Sequence, residues 1–290
     1  MLSGSDMGES GRVLGTLLAE IAGWRFVGAG QGPAWWERLL VRGFTEDSRR
    51  VRPGDLFVAV PGVSVDGVRF VPQALEQGAV AVMSQREPEV TPTVPWVVVP
   101  DARLALARLA AAWHGFPGRK MRVIGVTGTD GKTTTATLLH AALSATGEKV
   151  GLVTTVHALC GQQVWDTGLH TTTPDAPELQ RLLAQILEQG ASTLVLEATS
   201  HGLAQHRVDG SEFDVAVVTN ITTEHLDYHG TWEAYRQAKG LLFQALGESG
   251  RKPGVAKIAV LNADDPSCAY LRGFPADQHW TYGLDQPADV

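Results

Sequence analysis

The chain has 290 residues, of which 44% are hydrophobic and 19% charged, with a net charge of −7. That length allows two domains, and that hydrophobic share allows buried cores. Lysine and arginine are scattered, no apolar run approaches the roughly 18 residues of a bilayer helix, and Cys160 and Cys268 lack CxxC spacing. Nucleic-acid binding, membrane insertion, a disulfide framework and a zinc site are thereby set aside.

Residues 1–10 are polar, without the basic-then-apolar pattern of a signal peptide, and are expected to be a disordered tail on a cytoplasmic, monomeric protein. In chain order, residues 55–60 read as a strand closed by the Pro61-Gly62 turn, 70–77 as a short helix ended by Gly78, and 79–83 as the next strand. Residues 96–99 read as a strand and the Ala/Leu-rich stretch 102–113 as a helix. His114-Gly115-Phe116-Pro117-Gly118-Arg119 is a turn-rich break, which separates a first domain over 11–117 from a second over 118–290. Beyond it, strands at 123–127, 150–154, 193–197, 214–219 and 258–261 alternate with helices at 132–146, 176–189 and 232–246. Strands that are near-continuous Val/Ile/Leu runs belong to a mainly parallel sheet with helices on both faces. The expected fold class is α/β.

Gly128-Thr129-Asp130-Gly131-Lys132-Thr133-Thr134 lies between a strand and a helix. Glycines let backbone amides turn toward phosphate, Lys132 can neutralise phosphate oxygens, and the Thr133 hydroxyl can ligate Mg²⁺. The strict phosphate-loop spacing requires glycine where this chain has Val126, so the loop is a variant. Glu197 ends a strand at the carboxyl edge where open α/β sheets bind ligands, and a carboxylate there suits Mg²⁺. It opens the string Glu197-Ala198-Thr199-Ser200-His201-Gly202-Leu203-Ala204-Gln205-His206-Arg207. A second string, from Asn220 through His225-Leu226-Asp227-Tyr228-His229-Gly230, also follows a strand. Trp232, Tyr235, Lys239, Leu242 and Leu246 share a helical stripe on which Lys239 is the charged member. A lysine so placed either snorkels to water or is buried with a purpose.

In this order, these motifs resemble the Mur ligase and folylpolyglutamate synthetase superfamily, from about Thr45 onward. Asp130 stands where the superfamily usually has Asn. Within it, the Glu197–Arg207 and Asn220–Gly230 strings are similar to the Mur ligases that add the third residue of the cell-wall peptide. Asp47-Ser48-Arg49, the segment from Gly54 to Ala59, and Asp66-Gly67 resemble a UDP-binding module, and Asn262-Ala263-Asp264-Asp265 resembles a loop near the nucleotide. The resemblance implies an N-terminal UDP-MurNAc-binding domain and a central ATPase domain of the phosphate-loop type.

It further implies ATP and Mg²⁺ as cofactors. Gly128 to Thr134 and Asn220 would hold the nucleotide, and Thr133, Glu197, His225 and a carbamylated Lys239 the metal. Lys132, Lys239, His225 and Glu197 would be catalytic. Ser48, Thr172, Thr173, Thr199, Gln205 and Arg207 would contact UDP-MurNAc-L-Ala-D-Glu, to which L-lysine or a diaminopimelate is joined through an acyl phosphate. Complete family members carry a third domain that selects the amino acid, and the chain is expected to stop before the central domain is complete. A MurF-type ligase, or a non-catalytic module that binds UDP-sugar and nucleotide, remain as alternatives.

Overall fold

The computed structural model describes residues 11–28, 35–62, 65–166, 173–222, 224 and 226–290. The chain divides into two compact units, Met1–Trp113 and His114–Val290. Elements of the first unit run β1 (Arg12–Val13), α1 (Leu14–Leu18), β2 (Arg25–Val27), β3 (Leu40–Val41), β4 (Gly43–Thr45), β5 (Asp55–Ala59), α2 (Val71–Glu76), β6 (Ala81–Ser84), β7 (Trp96–Val98) and α3 (Ala102–Trp113). Its main sheet has the order β2-β7-β6-β5-β4, with β4 to β7 parallel and β2 antiparallel at the edge.

The period of two along β5 sets the layers. Leu56 and Val58 meet Leu106 and Leu109 of α3 on one face, while Phe57 and Ala59 meet Val71 and Ala74 of α2 on the other. β2, β3 and β4 were not predicted: each is two or three residues long and mostly half-exposed, which leaves little apolar pattern to read. The helix expected at 70–77 is Val71–Glu76, preceded by a tight turn at Gly67–Phe70 whose start is capped by Asp66, which accepts a hydrogen bond from Val68 N at 3.1 Å.

The second unit runs β8 (Arg122–Thr127), α4 (Lys132–Ala145), β9 (Val150–Val153), β10 (His157–Cys160), β11 (Gln163–Asp166), α5 (Ala176–Glu188), β12 (Thr193–Glu197), α6 (Ser200–Ala204), β13 (Val215–Val218), α7 (Leu226–His229), α8 (Trp232–Glu248), β14 (Ile258–Asn262), α9 (Cys268–Leu271) and β15 (Gln278–Tyr282). The eight-stranded sheet has the order β11-β10-β9-β12-β8-β13-β14-β15. Strands β9 to β15 in that order are parallel, and β10 and β11 add an antiparallel hairpin at one edge. The α/β class and the mainly parallel sheet are those expected. The hairpin is an addition to the expected pattern, because β11 buries almost nothing and so carries no apolar run.

Helix α5 shows why these segments fold as they do. Asp175 accepts a hydrogen bond from Glu178 N at 2.9 Å as N-cap, proline follows in the first turn, and Leu179, Leu182, Leu183 and Ile186 form the buried stripe. Each of those side chains contributes about 1.5–3 kcal/mol by leaving water. Asp175→Ala is expected to cost about 1 kcal/mol of unfolding free energy. Urea denaturation checks this, and an unchanged midpoint counts against the cap.

Helices α5 and α8 cover one face of the sheet, and α4 covers part of the other. At the amino end of the strands, fully buried Asp214 accepts from Val123 N at 2.9 Å and pairs with Lys257 at 3.0 Å and with Lys252. The opposite, carboxyl end of β8, β12, β13 and β14 carries the loops that hold the candidate chemistry. Open α/β sheets bind ligands at that end.

Candidate active site

Strand β8 delivers the chain into the loop from Gly128 to Gly131, which opens α4. Gly128 has φ +149°, and a Cβ there would stand 1.8 Å from Thr219 Oγ1, so the backbone passes where only glycine fits. Gly131, at φ +76°, is the left-handed residue from which α4 starts, so the first helical amides face the loop. Thr129 N donates to Asn220 O at 2.7 Å, and Asp130 N donates to Asn220 Oδ1 at 3.0 Å. Thr219 Oγ1 donates to Asp130 O at 2.6 Å, and Asn220 Nδ2 to the same oxygen at 3.3 Å. The loop is thus stitched to the end of β13. Lys132 Nζ lies at its mouth, donating to Thr129 O at 2.6 Å.

Thr133, in the first turn of α4, donates its hydroxyl proton to Glu197 Oε2 at 2.9 Å, and Thr155 N donates to the same oxygen at 3.2 Å. Glu197 is only 3% exposed. A hydroxyl and a carboxylate beside a glycine-rich loop at a helix start are hard oxygen donors of the kind that Mg²⁺ takes. Among the described residues there is no cluster of three or more His, Cys, Asp or Glu able to hold a metal by itself. His225 and Thr172 lie outside the described residues.

Lys239 does not snorkel. It is 1% exposed, and its Nζ donates to Gly128 O and lies 4.5 Å from the centre of the Tyr235 ring. Burial, reinforced by the charge of Lys132, pulls its pKa down to about 7, while Glu224 and Asp130 oppose the shift. A large share of this amine is therefore neutral near pH 7. Tyr235, one helical turn earlier and fully buried, shares a hydrogen bond with Thr129 Oγ1 at 3.1 Å and donates to Glu224 at 3.4 Å. Burial lifts its phenol to about 12, so it stays protonated.

A second cluster lies along the loops after β12 and before α5. Thr173 and Thr199 share a hydrogen bond at 2.9 Å, and Thr199 caps α6 by accepting from Gly202 N at 3.1 Å. Arg207 donates to Thr173 O at 2.7 Å and to Gln205 Oε1 at 2.7 and 3.1 Å. Gln205 Nε2 donates onward to Tyr228 OH at 3.0 Å, and the Tyr228 ring lies 4.2 Å from that of His201. An arginine, an amide and hydroxyls gathered in one place suit a carboxylate-bearing ligand. Ser48 belongs to the first unit, where it is buried and donates to Gln73 Oε1 at 2.7 Å. Beside it Asp47 accepts from Arg49 N at 3.0 Å.

Two family models match the chain: "Mur ligase middle domain" over residues 126–290, more than half of its length, and "Mur ligase family, catalytic domain" over residues 41–114. The chain belongs to the Mur ligase family. It is similar to the UDP-N-acetylmuramyl-tripeptide synthetase of Roseiflexus sp. (strain RS-1), with 48% identity over 86% of this chain and 51% of that protein. It is also similar to the UDP-N-acetylmuramoyl-L-alanyl-D-glutamate–2,6-diaminopimelate ligase of Geobacillus thermodenitrificans (strain NG80-2), with 46% identity over 84% of this chain and 49% of that protein. A solved structure of a ligase of the latter name superimposes with a TM-score of 0.73 at 33% identity, covering 90% of this chain and 52% of the other. The chain spans about half the length of the curated relatives it matches.

In this Mur ligase chain, three contacts of the candidate site were invisible to motif reading. Tyr235 holds Thr129 from 106 residues away, Thr219 Oγ1 supports the Gly128–Gly131 loop, and Tyr228 orients Gln205. Tyr235 and Tyr228 do sit inside the quoted strings, and their buried or paired hydroxyls are the reason for tyrosine there. Asn262, by contrast, donates to Thr219 O at 2.8 Å and Asp265 accepts from Ile221 N at 2.6 Å, so these two side chains brace the loop after β13.

Proposed function

We propose that the chain binds ATP and UDP-MurNAc-L-Ala-D-Glu for a ligation that adds the third residue of the cell-wall peptide, L-lysine or a diaminopimelate. The observation that carries this reading is the joining, at one sheet edge, of a phosphate loop, the Thr133–Glu197 oxygen pair and buried Lys239. Residues 118–290 would be the ATP-binding domain and residues 11–117 the UDP-MurNAc-binding domain, with Ser48 at the uridine-diphosphate. The protein would act as a monomer in the cytoplasm, without nucleic acid or bilayer as partner. No described helix is long and apolar enough to cross a membrane.

In this reading the D-Glu carboxylate attacks the γ-phosphorus of ATP, giving an acyl phosphate and ADP. The amine of the incoming amino acid then attacks the acyl carbon, and phosphate leaves. Positioning and charge neutralisation do most of the work in such a transfer. The amides at the start of α4 and the Lys132 ammonium would neutralise the phosphates, with Thr129, Asp130, Thr134 and Asn220 shaping the loop around them. Arg207, Gln205, Thr199 and Thr173, with Thr172, would hold the peptide carboxylate. Mg²⁺, held by Thr133, Glu197, His225 and a carbamylated Lys239, would supply further neutralisation of phosphate charge. For Lys239 to carry the carbamate, its neutral amine adds to CO₂, a C–N bond forms and one proton passes to solvent. The lowered pKa makes that amine available.

A MurF-type ligase is the rival, disfavoured by the His225-Leu226-Asp227-Tyr228-His229-Gly230 string. Calorimetry with the UDP-linked dipeptide and the UDP-linked tripeptide separates them. The dipeptide form is expected to bind tighter by at least about tenfold, a difference of about 1.4 kcal/mol. Preference for the tripeptide form points to the rival. Binding of neither overturns the proposed reading, and binding of UDP-sugar and ATP without turnover points to the non-catalytic module.

A further inference from the structure

Between Gln205 and Arg207, two residues of the peptide-side cluster, stands a residue to which neither the motifs nor the reaction gives a task. His206 has φ +57°, in the left-handed region, and among the described residues only Phe116 and Glu212 share that property without being glycine. Its position explains the conformation. Helix α6 ends at Ala204, His206 N donates to Leu203 O at 3.2 Å, and Arg207 N donates to Gly202 O at 2.8 Å. That pair of bonds is the Schellman closure of a helix, in which the residue at the place of His206 must be left-handed and is usually glycine. Here the imidazole is also held by a neighbour: His206 Nδ1 lies 3.1 Å from Asp209 Oδ2. The Nδ1–H tautomer donates to that carboxylate.

We propose that His206 is a positioning residue for the peptide substrate. Its left-handed backbone, held by Asp209, reverses the chain so that Gln205 and Arg207 emerge on the same side. Arg207 is thereby aimed at Thr173 O and at Gln205, and Gln205 at Tyr228. A glycine would permit the same turn but also many others. Histidine is among the few other residues that tolerate the left-handed region, and the Asp209 clamp selects that well. The inference rests on the proposed reading of this cluster as the binding place of UDP-MurNAc-L-Ala-D-Glu, and it assigns no contact between the imidazole and the ligand.

The test compares His206→Val, His206→Asn and His206→Gly with the unaltered chain, by calorimetry with UDP-MurNAc-L-Ala-D-Glu and separately with ATP. A β-branched residue resists the left-handed well, so the binding-competent turn is depopulated and affinity for the UDP-dipeptide is expected to fall about tenfold. ATP affinity is expected to stay within about twofold, which also shows that the variant is folded. His206→Asn, which tolerates the conformation and can donate to Asp209, and His206→Gly, which adopts it without strain, are expected to recover to within about threefold. An unchanged His206→Val overturns the inference. So does equal loss in all three variants, which would make the imidazole a direct contact. An unaltered chain that binds no UDP-dipeptide overturns the proposed function and this inference together, whereas the first two outcomes leave the proposed function standing.

Discussion

Lys132→Ala is expected to weaken ATP binding by about 10- to 150-fold, the 1.5–3 kcal/mol of a charge-assisted hydrogen bond, and to leave UDP-dipeptide affinity within about twofold. The ammonium lies at the mouth of the loop, held at 2.6 Å by Thr129 O, at the amino end of a 14-residue helix. A phosphate arriving there gains a hydrogen bond to a full charge as well as the helix amides, and the variant keeps only the amides. The proposed peptide contacts at Thr173, Thr199, Gln205 and Arg207 hydrogen-bond to one another, whereas Lys132 donates to Thr129 O. Lys132→Met serves as a control that keeps the stem and loses the charge. Calorimetry reads both ligands, and ATP affinity like that of the unaltered chain would sink the phosphate-loop assignment. Because the Lys132 charge helps hold the Lys239 pKa down, removing it is expected to raise the pKa of Lys239.

What the sequence could convey depended on whether a feature was local. The strand–turn–helix at Gly128–Thr134, which we propose as the phosphate loop, was legible as a local feature because its glycines, lysine and threonines lie within seven consecutive residues bounded by a strand and a helix. Helices α5 and α8 were legible because a buried stripe repeats along them, and α8 continues only two residues past its expected end at 246. β15 was missed because its Gln278-His279-Trp280-Thr281-Tyr282 sequence lies at the sheet edge and is mostly exposed or half-exposed. The environment of Lys239 was beyond reach for another reason. A lysine on an apolar stripe looks the same whether its stem reaches water or its amine is trapped. Only the fold brings Gly128 O, 111 residues away, to meet it. His206 was similarly silent, since nothing in its string tells that the helix ends at Ala204, three residues before Arg207.

The largest expected effect on stability is at Lys239. Its pKa is about 7 in the folded chain and 10.5 as an ordinary lysine. Below about pH 7 the amine is protonated in both states, and the folded chain bears the full cost of a buried charge. Between pH 7 and 10.5 the unfolded chain holds more protons than the folded one, so stability rises with pH, by up to about 1.4 kcal/mol per unit. Above 10.5 both states are neutral and the cost is gone. The full difference is on the order of 5 kcal/mol, reduced by about 1 kcal/mol for the hydrogen bond that Lys239 makes to Gly128 O. Lys239→Met, which fills nearly the same volume without the amine, is therefore expected to stabilise the chain by about 3–4 kcal/mol at pH 7 and by little at pH 10.5. Urea denaturation of the two proteins across that range reads the difference directly, since the other titrating groups cancel. A stabilisation independent of pH would mean the ammonium is not desolvated, and no stabilisation at any pH would mean it is compensated. The same gain is expected to shrink when bicarbonate converts the amine to a carbamate, because that anion faces the Lys132 charge. Carbon NMR with labelled bicarbonate at mildly alkaline pH, with and without Mg²⁺, is expected to show the carbamate signal in the unaltered chain and not in Lys239→Met. A signal that persists in the variant would assign the modification to another lysine. The site thus holds a residue that costs stability in its unmodified form, and a reason to retain it is the chemistry proposed beside the ATP phosphates.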